Sequence, residues 1–388
     1  MTAPRAQRTP THATPALRVF DVTVETLTPL HIGTGRVIEP SRDFVIDRNE
    51  LVVLDVDKVL DAVDEQRLRD YGMEKVPPLA SLLPSLARAR EFAAYVVPVP
   101  TGTKAPRGTE VREQIKDAFG SAYLPGSSLK GAMRTALAVM LATRRGEAWL
   151  DGHLRRLRND KGWASIELAK DLFGRVDKDS PSQKKNLGKA SDANVDVLRA
   201  LRVSDLSLAP MNASSPFQVT EVKAIKKDGT GVPIFVEAVA PNVTFRGTIT
   251  IDSRLLREPA LAALPAWQDL TEADLTTDLV RHCRDHSKGL ITRDEVLTRH
   301  LAMTSGRLDA SSALLAVGWG TGWTAKTLGH LLKARPEFQR VGERFKLSAK
   351  APFRRARFPT TRRLTIVSDE PHQPLGWLRV TITPRRER

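Results

Sequence analysis

Three segments far apart in the chain share one pattern, a strict alternation of apolar and polar residues. In "RVFDVTVETL" Phe20, Val22 and Val24 alternate with Asp21, Thr23 and Glu25. In "FRGTITID" Phe245, Ile249 and Ile251 fall on one side, with Gly247 between them, and Arg246, Thr248, Thr250 and Asp252 on the other. In "PLGWLRVTIT" Leu378, Val380 and Ile382 share a face. Successive side chains of a strand point to opposite faces, so this period marks strands with one face on a core and one toward water. Such half-buried strands belong to antiparallel sheets, because parallel strands are covered on both faces and read as continuous apolar runs. Helical patterns separate them: one opens within residues 123–137 and runs to about Arg145, more helix continues to about 173, and residues 271–304 read as helical. Strands, then helices, then strands, in each half, predict an α+β fold with antiparallel sheets.

Other segments fill in this frame. "DFVIDRNELVVLD" reads as two strands around a polar turn at Arg48–Glu50, and "AYVVPV" as a short extended piece. Residues 56–70 and 79–91 look helical, and 100–112, with Pro, Gly and mixed charge, form a loop. Residues 1–16 read as a basic disordered tail, and 175–194, poor in apolar residues, as a mobile insertion. The expected division is 17–200 and 201–388, the second half starting with "LRVSDLSL", and a loose duplication of one α+β module fits this order.

Charge speaks to partners. Sixty Lys and Arg against 45 Asp and Glu leave a net charge of +15 in 388 residues. Nucleic acid is the usual partner of a globular chain this basic, an arginine-rich proteome being the bland explanation. The single cysteine, Cys283, excludes an internal disulfide framework and a cysteine-based zinc site. No apolar run approaches the ~20 residues of a membrane span, and the N-terminus lacks the apolar core of a signal peptide. The cytoplasm is the expected compartment, with no cofactor, no metal and no membrane partner.

Several motifs carry chemistry. "YLPGSSLKGAMRTAL", residues 123–137, allows three readings. Ser127 and Lys130, one helical turn apart, have the spacing of a Ser-Lys acyl enzyme, but "SDA" at 191 and "KTL" at 326 match neither companion element of that fold. Ser127 or Ser128 is expected to cap the helix. A helix start with hydroxyls, Lys130 and Arg134 on one face, and no carboxylate within a turn is also a phosphate site. "HIGTGR" places His31 and Arg36 around Gly33 and Gly35, which allow close backbone approach; His31 has the chemistry of a general base, though a lone His beside a turn is more often structural. In "AVGWGTGWTAKTLGHLL" Gly318, Gly320 and Gly322 alternate with Trp319, Thr321 and Trp323, and a helix is expected near Thr324 with Lys326 in its first turn. A cation there is disfavoured by the macrodipole unless an anion binds. "KAPFRRARFPTTRRL" has six basic residues, among them Arg362 and Arg363, interleaved with Phe353 and Phe358, a composition suited to single strands. "RHCRDH" sets His282 and His286 on one helical face without the Glu or third ligand of a zinc site.

Taken in order, "LTPLHIGTGR", "YLPGSSLKGAMRTAL" and "GWGTGW…K" followed by "TTRRL…PLGW" resemble the RAMP superfamily of CRISPR proteins, most closely the branch that supplies the fifth subunit of the type III-A Csm effector complex. The motifs cover about a tenth of the chain, dispersed along its length. The resemblance implies RRM-like, ferredoxin-type modules, two in number, with helical insertions. It implies binding of CRISPR RNA on its 3′ side and contact with other Csm subunits, chiefly the neighbouring RAMP backbone subunit. It also implies support of guide maturation, with host nucleases doing the cutting. Carried over by position, the loop His31, Gly33, Gly35 and Arg36, the helix start Ser127, Ser128, Lys130 and Arg134, and the segment Gly318, Gly320, Gly322 and Lys326 with Arg362 and Arg363 would line RNA or brace the bound face. Some RAMP relatives cut RNA with a histidine or an aspartate. No position here matches safely, so no catalysis is expected, with a RAMP endoribonuclease through His31 or an unassigned acid as the alternative.

Overall fold

A computed structural model describes residues 16–64, 66, 77–156, 161–174, 192–210, 215–226, 229–348 and 352–385. The expected tail up to residue 15, part of the 56–70 helix and most of the 175–194 insertion lie outside these residues.

The alternating segments form the centre of the first sheet. β1 (Leu17–Thr26) pairs antiparallel with β13 (Thr244–Asp252) on one side and β17 (Trp377–Pro384) on the other, with Val24 opposite both Phe245 and Val380. Phe20, Val22 and Val24 are buried while Asp21 and Thr23 are exposed, as a half-buried strand requires. β7 (Tyr123–Leu124), β8 (Leu201–Val203) and β9 (Leu206–Leu208) extend the β13 side, and β14 (Ser312–Ala316) closes the far edge. Between strands run α1 (Gly126–Arg145), α2 (Glu147–Arg156), α3 (Lys161–Phe173), α4 (Leu279–Thr292) and α5 (Glu295–Gly306). In chain order β1, α1, β9, β13, α4 and β17 are a β-α-β-β-α-β unit. Their sheet order, β17–β1–β13–β9, is the fourth-first-third-second arrangement of the ferredoxin type. Leu129, Met133 and Leu137 of α1 and Leu279 and Cys283 of α4 share the core of this sheet. Each fully buried Leu there contributes on the order of 2–3 kcal/mol.

A second sheet has the order β16 (Glu370–Pro371), β15 (Thr361–Val367), β10 (Phe217–Lys226), β12 (Ile234–Val239), β6 (Val111–Gln114), β2 (Gly33–Ile38), with β11 (Gly229–Thr230) on β10. Only β6 and β12 run parallel. A small sheet of β3 (Phe44–Asp47), β4 (Glu50–Leu54) and β5 (Ala93–Pro98) has its own cluster, including Val52, Leu82 and Phe92. The architecture is α+β with predominantly antiparallel sheets. The expected boundary at 200/201 does not divide the sheets, because both large ones take strands from either side of it. The first is closed by β17 returning beside β1, a pairing between the two ends of the chain that no local pattern announces.

Two helical details differ from expectation. α1 is not capped by Ser127 or Ser128: its N-cap is Pro125, and Asp205 accepts from the Gly126 N–H at 2.7 Å. The helix expected at Thr324 is a single 3-10 turn, Thr324–Lys326, with Lys326 at its end, and α6 (Gly329–Ala334) and α7 (Phe338–Arg344) follow. The macrodipole argument for Lys326 therefore lapses.

Candidate nucleic-acid interface

The glycine motifs at opposite ends of the chain lace together. Trp319 N–H donates to His31 O at 2.8 Å, Val317 N–H to Gly376 O at 2.8 Å, and Gly376 N–H to Pro29 O at 2.9 Å. Glycine is required at two of these crossings. A Cβ on Gly318, at φ +81°, would lie 2.5 Å from His31 O, and one on Gly376, at φ +72°, 2.0 Å from Val317 O. Gly33–Arg36, expected as a loop, is the exposed first part of the edge strand β2.

Beneath it lies a buried polar group. Lys116 Nζ donates to Glu237 Oε2 at 2.7 Å and to Tyr95 Oη at 3.2 Å, and Gln114 N–H donates to the same carboxylate oxygen at 3.0 Å. Burial, then the Glu237 charge, pushes the Tyr95 phenol well above its ordinary range. His31 is 2% exposed. Its Nδ1 faces Glu237 O at 2.6 Å, and since a carbonyl only accepts, Nδ1 carries the proton. Burial, with smaller contributions from Arg112 and Lys116, lowers the His31 pKa to about 4.

Above this group sits Trp319, edge-on to His31 with ring centroids 5.9 Å apart. The guanidinium carbons of Arg112 and Arg363 lie 5.0 and 4.8 Å from the indole centroid. Arg112 comes from β6 and Arg363 from β15, on either side of β10 and β12. Among the described residues neither has a carboxylate partner, and the same holds for Lys326. Partial burial and then the field of Arg363 lower the Lys326 pKa.

The other basic residues singled out in the sequence are engaged. Arg36 meets Asp43 and Glu113 at 3.2 and 3.7 Å, and Arg362 pairs with Asp294. Lys130 Nζ donates to Leu198 O at 2.8 Å, and Arg134 pairs with Asp196 at 2.7 Å while lying over Phe173. The local absence of a carboxylate on α1 is thus compensated by Asp196, 62 residues away. Ser127 is exposed and Ser128 intermediate. Gly320 and Gly322 border a cleft of about 180 Å³ with Trp323, Arg362 and Arg363. Phe353 and Phe358, expected to stack on a ligand, are buried against Phe338, and Trp323 packs on Phe338 and Phe358. They are core because the basic segment folds over α7.

His282 and His286 do not converge. His282 Nε2 bonds Asp274 at 2.9 Å, whereas His286 faces His330 with ring centroids 6.2 Å apart. Asp274, Asp278 and His282 bring ligand atoms within 4.8 Å of one another, but Arg144 already donates to both Asp274 oxygens. Arg112, in "EVREQ", was missed because the run from 100 to 112 reads as loop.

A ferredoxin-type sheet joined to a second sheet by glycine-lined crossings under unpaired basic residues defines the class. The RAMP superfamily pattern matches residues 23–324, and the chain belongs to that superfamily. It is 27% identical over 280 residues, 65% of this chain and 70% of the relative, to the CRISPR system Cms protein Csm5 of Streptococcus thermophilus. Its fold is similar to a chain in the cryo-EM structure of a Csm–crRNA–target RNA ternary complex of a type III-A CRISPR–Cas system. That match has TM-score 0.70 and 24% identity, over 94% of this chain and all of that one. It is also similar to the crystal structure of T. onnurineus Csm5, with TM-score 0.65 and 20% identity, over 92% of this chain and 99% of the other. No helix among the described residues is long and apolar enough to cross a membrane.

Proposed function

We propose that this chain is a non-catalytic RNA-binding subunit of a type III-A CRISPR (Csm) effector complex in the cytoplasm. It holds the 3′ side of the CRISPR RNA, docks on the neighbouring RAMP backbone subunit, and supports guide maturation by host nucleases. The observation that carries the RNA reading is the pair Arg112 and Arg363 over Trp319, neither with a carboxylate partner among the described residues. Two like charges held together at a surface are favourable when an anion joins them, and a guide of variable sequence presents only its phosphates as a constant. His31, Gly33, Gly35 and Arg36 with Gly318, Gly320 and Gly322 form the floor against which the strand lies, and Lys326, Arg362 and Arg363 its basic side. Lys130 and Arg134 brace this face through the Leu198 and Asp196 contacts of α1, and Ser127 and Ser128 open the same helix. A buried His31 with its pKa near 4 supports an architectural role over RNA cleavage.

The test is a gentle tagged purification from the native host, with sequencing of bound RNA and identification of co-purifying proteins. Short RNAs with a shared 5′ repeat tag and varied spacers, together with other Csm subunits, are expected. Protein free of RNA and of partners at low salt overturns the reading.

A further inference from the structure

A second, larger cavity lies behind the Thr324–Lys326 turn. It occupies about 440 Å³ between α1, α2 and α3 on one side and α6 and α7 on the other. Its wall is mostly apolar and partly aromatic, with Phe173, Trp323, Phe338 and Phe345. Pockets of ~300–1,000 Å³ with such walls and a few polar groups hold flat organic ligands.

Two polar features set this cavity apart from a packing gap. His153, on the wall, is 5% exposed, and its Nδ1 lies 3.3 Å from Asp171 Oδ2. A carboxylate only accepts, so Nδ1 carries a proton toward Asp171 and Nε2 is the ring nitrogen left over. That Nε2 is buried with no partner among the described residues. The second feature is charge. Lys326 borders the cavity with no acidic partner among the described residues, whereas Arg134 across from it is neutralised by Asp196. The site therefore offers a ring-sized apolar space, one unpartnered ring nitrogen and one free cation.

We propose that this cavity receives one unstacked nucleotide of the bound RNA, the base in its apolar space beside Trp323 and the phosphate on Lys326. The proposal rests on the RNA-binding reading. An acyl chain would satisfy the cation and the walls but would leave His153 Nε2 without a partner. Every RNA base carries both an N–H and an acceptor on its Watson–Crick edge, so a single ring nitrogen pairs with any of them, which suits a variable guide. Access follows from the fold: Trp323 and the turn after it border both this cavity and the cleft beside Gly320, Gly322, Arg362 and Arg363. A strand lying on the glycine loop thus passes the mouth.

The experiment uses the purified full chain and an oligouridylate carrying 4-thiouridine, irradiated and mapped by mass spectrometry, with affinity read by anisotropy. Adducts on the cavity's aromatic residues are expected. Ala169→Phe, which fills the cavity, removes those adducts and weakens binding about tenfold, the loss of one stacked base, with an unchanged melting temperature. Should that variant fail to fold, Lys326→Gln reduces the same adducts while leaving the wall intact. Adducts confined to other surfaces, or unchanged adducts and affinity in the filled or Lys326→Gln variant, overturn the cavity proposal and leave the RNA-binding reading standing if affinity still falls with salt. Absence of any RNA binding by the wild-type chain at low salt overturns both.

Discussion

Arg112 and Arg363, 251 positions apart in a chain of 388 residues, bring their guanidinium carbons to 5.0 and 4.8 Å from one indole centroid, that of Trp319. Cation–π attraction of about 0.5–2 kcal/mol each holds them where mutual repulsion would part them. The nearer the two charges are held, the stronger a single phosphate binds.

The first prediction follows from that geometry. Single-stranded RNA affinity, measured by anisotropy over a salt series, falls in Arg112→Gln and in Arg363→Gln. The slope of log K against log salt flattens by about 0.7 for each phosphate that is no longer neutralised. Trp319→Ala lowers affinity as well, since it frees both arginines from their platform. Slopes equal to wild type in both arginine variants would remove this pair from the interface.

Backbone geometry separates two glycines that look alike in sequence. Gly318→Ala places a Cβ 2.5 Å from the His31 carbonyl at φ +81°, and the carbonyl cannot move without breaking the Trp319 bond. Gly35, at φ +91°, has open space around it. Urea unfolding is expected to show a cost above about 2 kcal/mol for Gly318→Ala and about 1 kcal/mol for Gly35→Ala.

Much of this was legible beforehand, for reasons tied to particular residues. Alternation at Phe20–Val24, Phe245–Ile251 and Leu378–Ile382 reports strands directly, because one face of each meets a core. The glycine density of 316–322 announces close backbone approach. What escaped was long-range pairing. Asp196 with Arg134, Asp205 with Gly126, and Arg112 with Trp319 join residues that no local window contains. Composition also misled at Phe353 and Phe358, since an aromatic among arginines reads the same whether it faces a ligand or a core.

Acid should destabilise the fold through its buried histidines. The pKa of His31 and that of His286 are each lowered from 6.5 to about 4, chiefly by burial. Between those values the unfolded chain binds more protons than the folded one, so stability rises with pH. The contribution is complete above pH 6.5 and is lost as pH falls toward 4, by up to about 3 kcal/mol for each group. Urea titrations from about pH 7.5 to about pH 4.5 should show this fall, and His31→Gln should flatten it. An identical pH profile in His31→Gln would exclude that residue as a source.

The buried pair under the glycine loop should behave as a unit. Glu237 has a side chain 0% exposed and Lys116 one 10% exposed. Lys116→Met strands the carboxylate and should cost about 3–5 kcal/mol. Adding Glu237→Gln should recover most of that loss, because the uncompensated charge is gone. A double-mutant cycle from urea unfolding gives the coupling, and additivity of the two changes would deny it.

The start of α1 offers the last test. Ser127 and Ser128 make no side-chain cap, and Asp205 alone supplies an oxygen to the Gly126 N–H. That carboxylate sits where a bound phosphate would, and its charge opposes the positive end of the helix. Asp205→Ala should therefore destabilise the chain by about 1 kcal/mol, within the usual 0.5–2 range for a cap. Ser127→Ala, at an exposed position, should change stability by less than about 0.5 kcal/mol. Neither change should alter the salt dependence of RNA binding if this helix end braces the interface. Weaker RNA binding in Ser127→Ala would instead place the helix start against the RNA, and greater loss of stability in Ser127→Ala than in Asp205→Ala would restore the serine as cap.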